Sequence, residues 1–275
     1  MDPILTLGER LLAFANPWPA IFAFDFGRYL IAAMTITAIL AVASRGFVDL
    51  RRVRHRLPRA NQRWREFRQS VSAALVFSLV GVGIYYGAGH GVFRVYSQPA
   101  QYGWLYWVGS LFLIVVAHDA YFYWTHRWMH APRVFIRVHR IHHLSVAPTQ
   151  WAAYSFSISE ALSQTAFLPL FLLIVPTHEL VLFLWMGHQV LRNVVGHCGV
   201  ELVPRKWLAT WWSRWLTTTL HHDMHHEHGR HNYGLYFTWW DRWRGTEHPE
   251  YRERLACLLA TVERGTGLQA REKEA

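Results

Sequence analysis

Apolar residues fall in long unbroken runs through the first two-thirds of the chain, at roughly 29–44, 71–92, 104–124, 156–175 and 178–195. Each run approaches the ~20 residues a helix needs to cross a hydrocarbon layer about 30 Å thick. A helix packed on a soluble core would carry a polar face over such lengths, and these runs carry little of one. The pattern predicts an all-α polytopic membrane protein with four to five transmembrane helices. No cleaved signal peptide is expected, because Asp2, Glu9 and Arg10 precede a broken, aromatic-rich stretch.

The chain has 275 residues and a formal charge of +10. The arginines form no stripe of the kind that binds nucleic acid; they mark topology instead. Arg45, Arg51, Arg52, Arg54, Arg56, Arg59, Arg63, Arg65 and Arg68 lie between the first two apolar runs, whereas the connection at 93–103 holds only Arg94. The positive-inside rule places the first connection in the cytoplasm and the second outside. It returns 125–155 and everything after about 198 to the cytoplasmic side, with the turn at Pro176 and Thr177 outside.

Of eighteen histidines, sixteen follow position 117, most of them in segments assigned to the cytoplasmic face. His126 and His130 are one helical turn apart. His139, His142 and His143, and again His222, His225 and His226, have i, i+3, i+4 spacing that puts three imidazoles on one helix face. A single zinc takes about four ligands, so these eight imidazoles imply two metal ions. Cys198 and Cys257 form no C-x-x-C pair, which excludes iron–sulfur clusters and most structural zinc designs. The sequence has no H-E-x-x-H zinc-protease motif. Two redox-active ions beside a bilayer suit dioxygen activation for attack on a lipid C–H bond, and iron is the expected metal, with zinc able to replace it in purified protein.

The other histidines sort by helix geometry. His118 lies eight residues before His126, about 12 Å along a helix, and falls outside the metal shell. His188 and His197 face opposite sides of a continuous helix, so only one can point at the site. Asn193 shares the face of His197, and together they are candidates for a further ligand group, the amide through a water. His221 and His225 are also i, i+4, which leaves a shifted assignment open. His228, His231 and His248 are expected around the ligands or in solvent.

These residues carry a pattern that resembles the sterol desaturase and fatty acid hydroxylase superfamily. The resemblance runs through HDAYFYWTHRWMH (118–130), HRIHH (139–143), RNVVGHCGVELVP (192–204), HHDMHH (221–226) and NYGLYFTWWDRWRGT (232–246). It implies an oxygen-dependent di-iron enzyme with a helical membrane fold and a cytosolic histidine-rich cap. By position it implies His126 and His130 as the first metal box, His139, His142 and His143 as the second, His222, His225 and His226 as the last, and His197 as the histidine between. Asn193 stands where some fatty-acyl hydroxylases have a further histidine. The chain is then divided as 1–100, N-terminal membrane helices and a basic loop; 101–250, the histidine-box domain; and 251–275, a polar tail.

Asp119 and Glu160 are carboxylates at or within apolar segments, where such groups are costly and hint at function. Asp119 is expected to orient a ligating imidazole, or else to pair with an arginine. Trp207, Trp211 and Trp215, beside Trp212, read as a headgroup-level belt, with cavity lining as the alternative. The glycines of 81–91 suit close helix packing, and Asn232 to Thr246 reads as a turn-rich segment closing the cap. With no flavin or nicotinamide motif, electrons are expected from a cytochrome b-type or ferredoxin-type partner on the cytoplasmic face. The expected substrate is a sterol-like or fatty-acyl lipid, with a polar-lipid head group as the alternative. Two other classes compete: a divalent-metal transporter, which would place ionisable groups at mid-membrane depth in several passes, and a zinc-dependent membrane hydrolase.

Overall fold

The computed structural model describes residues 16–54 and 56–274. The first apolar run forms α1 (Trp18–Val42), which stops where Ala43 turns extended; Ser44 then caps the short α2 (Arg45–Leu50), its Oγ accepting from the Phe47 N–H. The next two runs form α3 (Gln62–Gly89) and α4 (Gly103–Met129). These three long helices are the ones in the described residues that are long and apolar enough to cross a membrane. At 1.5 Å per residue, α4 extends about 40 Å, longer than the ~30 Å hydrocarbon layer, so its last turn can carry His126 beyond the apolar zone.

Pro132 opens α5 (Pro132–Arg137), and α6 (Arg140–His143) is a single turn. The 156–175 run is not one helix. It breaks at Ala166 into α7 (Ile158–Thr165) and α8 (Phe167–Ile174), because Pro169 has no N–H for the Thr165 carbonyl and its ring crowds that carbonyl. Beyond Pro176, Thr177–His178 pairs in parallel with Val95–Tyr96. The run from 178 forms α9 (Glu179–His197), whose polar residues His188, Gln189, Arg192 and Asn193 recur one turn apart and give it a polar side. The remaining helices are α10 (Arg205–Leu208), α11 (Thr219–His228), α12 (Trp239–Trp243) and α13 (Tyr251–Glu274).

Tyr29, Ala33, Ala73, Phe77, Tyr154, Val190 and Val194 bring α1, α3 and α9 together around the Gln150–Tyr154 turn. Gly81 allows α1 close to α3, since a Cβ there would come within 2.8 Å of Ile21. A polar stripe on the first turns of α3 fixes the chain after α6. Gln62 Nε2 donates to the Ala147 carbonyl (2.7 Å), Glu66 accepts from Thr149, and Ser70 Oγ donates to the Trp151 carbonyl (3.0 Å). Such buried polar groups are tolerable because each is partnered. Of the tryptophans in 207–215, Trp207, Trp211 and Trp212 are exposed, while Trp215 lies under the Arg242 guanidinium, 4.2 Å from its ring centroid.

Candidate metal centre

Two helix ends, one ten-residue helix and one single-turn helix meet at one end of the molecule. The last turn of α4 brings His126 and His130, α6 and the residue before it bring His139, His142 and His143, the end of α9 brings His197, and α11 brings His222, His225 and His226. The nine imidazoles form two groups. His126, His130, His139, His143 and His225 make one; His142, His197, His222 and His226 make the other; within each, the candidate ligand atoms all lie within 4.8 Å of one another. The groups adjoin, with the His143 and His226 rings stacked at 4.7 Å.

Neither H-x-x-H-H triad serves one group. His139 and His143 join the first group and His142 the second; His222 and His226 join the second and His225 the first. Consecutive helical residues are ~100° apart, so a helix wedged between two centres sends i and i+4 to one and i+3 to the other. Spacing alone showed a shared face and not this division.

Within each group the Nε2 atoms converge. His126 and His139 approach to 3.1 Å, His143 and His225 to 3.0 Å, His222 and His197 to 3.0 Å, and His142 and His197 to 3.3 Å. Two ligands about 2.1 Å from one ion are ~3.0 Å apart at a right angle and ~3.4 Å apart at a tetrahedral angle. The observed spacings match the edges of a coordination shell. Several Nδ1 atoms point outward to acceptors that take only a proton: His126 donates to the Tyr233 carbonyl (2.9 Å), His139 to Glu160 Oε1 (2.7 Å), His197 to the Asn193 carbonyl (2.7 Å) and His225 to the His231 carbonyl (2.7 Å). With Nδ1 protonated, the neutral ring leaves the Nε2 lone pair facing inward. Burial, reinforced by neighbouring imidazoles, pushes His139, His142, His222, His225 and His226 well below the ordinary imidazole range, and His143 to about 3. The rings are therefore neutral at physiological pH, as metal ligation requires.

Asn193 joins neither group: its amide donates to the Ala153 carbonyl at 2.8 Å, while its own carbonyl holds the His197 ring. His118 is buried against Tyr236 Oη (2.8 Å), and the His188 ring lies 4.6 Å from the same tyrosine. His221 faces Asp241 (3.5 Å) and the Tyr251 ring, outside both groups, which removes the shifted assignment. The His228 and His248 rings stack on each other at 4.5 Å.

Asp119 does not orient an imidazole. It accepts from the backbone N–H groups of Tyr236 (2.8 Å) and Phe237 (3.2 Å) and from the Trp239 indole (2.8 Å). Seven residues before His126, it lies about 10 Å down α4, at the level where the closing segment docks. Glu160 is the carboxylate that hydrogen-bonds a histidine of the two groups among the described residues. The backbone carbonyls that hold His126, His197 and His225 leave no trace in residue type, and sequence reading missed them for that reason.

The closing segment turns on Asp241, which accepts from the Tyr233 and Gly234 N–H groups (both 2.8 Å) and from Thr246 Oγ1 (2.8 Å). Asn232, in the left-handed region at φ 60°, ties it to the His221 carbonyl and the His248 N–H. From the basic loop, Arg54 crosses the cap to bond Asp223 and the Pro148 carbonyl.

Residues 111–246 match the fatty acid hydroxylase family. A Delta(7)-sterol 5(6)-desaturase of Gibberella zeae is 32% identical over 209 residues, covering 75% of this chain and 62% of that protein. Lathosterol oxidase of Mus musculus is 28% identical over 195 residues, covering 69% of this chain and 62% of that protein. A very-long-chain aldehyde decarbonylase of Oryza sativa subsp. indica is 28% identical over 169 residues, 58% of this chain and 26% of its own length. The chain thus spans less than two thirds of these relatives. No solved structure matches it.

Proposed function

The chain belongs to the sterol desaturase and fatty acid hydroxylase superfamily, and from that premise we propose that it is an integral-membrane, oxygen-dependent di-iron oxidoreductase that hydroxylates or desaturates a lipid. His126, His130, His139, His143 and His225 would hold one ion, and His142, His197, His222 and His226 the other. The observation that carries this reading is the inward convergence of Nε2 atoms on nine neutral imidazoles, all buried but the half-buried His130 and His143, with no carboxylate in either group among the described residues. Bound there, two irons would supply the oxidising power against an unactivated C–H bond that no side chain here possesses.

The protein's own part is positioning and exclusion of water. Glu160 and the carbonyls of Tyr233, Asn193 and His231 fix ring orientation and tautomer. The Phe122 ring lies 4.9 Å from His126 and the Phe156 ring 5.3 Å from His142, so apolar surface separates both groups from the membrane interior. A sterol-like or fatty-acyl lipid is the substrate this arrangement favours, reached from the bilayer side. Electrons come from a cytochrome b-type or ferredoxin-type partner docking on the cytoplasmic face, the side to which the arginine count assigns the histidines.

The test is metal content per chain in protein purified in mild detergent from iron-replete cells. Wild type is expected to carry two metal ions, mainly iron. A His142→Ala, His143→Ala double variant takes one imidazole from each group and is expected to lose most of both. Lipid mass spectrometry of cells with and without the gene should then show a product that has gained one oxygen atom or lost two hydrogen atoms. One zinc or none, indifferent to the double substitution, would sink the proposal.

A further inference from the structure

Among the helices lies a cavity of about 280 Å³, walled by α1, α3, α4, α7 and α9 and the Tyr154–Phe156 turn. That is close to the lower end of the range for small-molecule sites. One end is set by Phe122, Phe156 and Asn193, the residues directly behind the histidines. The cavity runs from there along α9 past Gln189 to Met186 and Leu182. Met186 is eleven residues before His197, about 16 Å along the helix. Phe24 and Tyr85, which also line it, are exposed on the outer surface of the spans, so the cavity communicates sideways with the surrounding lipid.

Beside Met186 the cavity wall carries an ion pair. Arg28 donates from Nε (3.1 Å) and Nη2 (2.8 Å) to the same oxygen of Asp25, Oδ1, and from Nη1 to the Met186 carbonyl (3.3 Å). Among the described residues nothing donates to Asp25 Oδ2. Tyr154 lies beside the pair, its ring centroid 5.9 Å from the Arg28 guanidinium carbon, and its hydroxyl donates to Gln189 Oε1 at 3.2 Å. With the amide in that orientation, Gln189 Nε2 has no acceptor among the described residues. The wall thus offers a free acceptor and a free donor on a pair whose net charge is zero. A carboxylate or phosphate would be repelled by Asp25, and a plain hydrocarbon would leave both groups unmatched, whereas an alcohol both donates and accepts.

We propose that Asp25, Arg28 and Gln189 form a recognition subsite for the hydroxyl group of a neutral lipid alcohol, holding that end away from the histidines and presenting hydrocarbon to them. The inference deepens the function proposed above and rests on it for the oxidation itself, but recognition of the alcohol is separable from metal binding. It falls on α1 and α9, and Asp25 and Arg28 lie outside the 111–246 region of family similarity.

The test is equilibrium binding to the full-length protein in detergent. The probes are radiolabelled cholesterol and oleyl alcohol, each beside its methyl ether, with oleate as competitor. Wild type is expected to prefer each alcohol that binds over its ether by about tenfold, as loss of one well-made hydrogen bond implies, and to bind oleate more weakly. Gln189→Met removes the donor at similar volume, and Asp25→Leu with Arg28→Met removes the acceptor and both charges together, so that no lone charge is left in the membrane. Both variants should retain wild-type metal content; Gln189→Met weakens alcohol and ether alike, since either oxygen accepts from Nε2, whereas the double variant removes the acceptor for the alcohol O–H and lowers the alcohol-over-ether preference to about twofold or less. Equal binding of alcohol and ether, preference for oleate, no saturable binding of either alcohol, a preference untouched by the double variant, or alcohol affinity untouched by Gln189→Met would overturn the subsite. Failure of the metal reading would appear separately, as absent or indifferent metal content.

Discussion

At Glu160 a carboxylate in a helix-capping position is diverted to a histidine. Ser157-Ile-Ser-Glu160 has the S-x-x-E form of a capping box, in which the glutamate would reach back to the Ser157 N–H. Ser157 does cap the helix, accepting from the Glu160 N–H at 3.1 Å, but the carboxylate takes the His139 Nδ1 proton instead. Glu160→Gln should leave α7 intact, because Ser157 still caps it, yet lower metal affinity about 10- to 100-fold, the usual cost of losing a carboxylate behind a ligating imidazole. Retention of metal under graded chelator challenge, beside an unchanged circular dichroism spectrum, would check this; wild-type retention would assign Glu160 no more than a packing role. The presence of a costly carboxylate at 160 was readable in the sequence. Its partner was not, because His139 is twenty-one residues away and only the fold of 144–157 sets their approach.

Among the elements, the segment from Asn232 to Thr246 does more than close the cap, since its Tyr233 carbonyl orients His126 and its Tyr236 and Phe237 N–H groups lock onto Asp119. Gly234 is its tightest point. A Cβ there would strike the Phe237 carbonyl oxygen and come within 2.9 Å of Asp241 Oδ2. Gly234→Ala is therefore expected to destabilise the protein by about 1–3 kcal/mol, the usual cost of overpacking, and to weaken metal retention with it. Gly187→Ala, in α9 with nothing within 4 Å of the added Cβ, should be neutral or slightly stabilising. Melting temperatures of both variants in one detergent separate the two cases. A Gly234→Ala protein that melts with wild type would show that the segment yields freely. Turn chemistry in the sequence marked this stretch as a closing element, but its contact with the histidines depends on backbone carbonyls, which residue type does not reveal.

Over the whole molecule, the basic loop and the histidines share one end. Arg51 donates to the carbonyls of Glu201 and Val203, and Arg54 bonds Asp223 between the last histidines. On the topology proposed from the positive-inside rule, that end would face the cytoplasm. The exposed Cys257 lies on α13, which packs on α2 at this same end, whereas Cys198 is buried. A membrane-impermeant maleimide should accordingly label Cys257 in inside-out vesicles and not in intact cells. The opposite pattern would invert the topology and move the electron donor to the other face.

Long apolar runs at 29–44, 71–92 and 104–124 were enough to mark three membrane helices, though not where the first two begin, because crossing a bilayer demands length and apolarity whatever the partners. The spacing of histidines was likewise enough to mark the metal-binding chemistry, since helical period is a local property. Tertiary structure alone decided that each H-x-x-H-H box is shared between two groups and that Glu160 meets His139. It alone brought Asp25 and Gln189 to one cavity wall. Those outcomes depend on distances between residues far apart in the chain, which only the packing of α1, α4, α6, α9 and α11 sets.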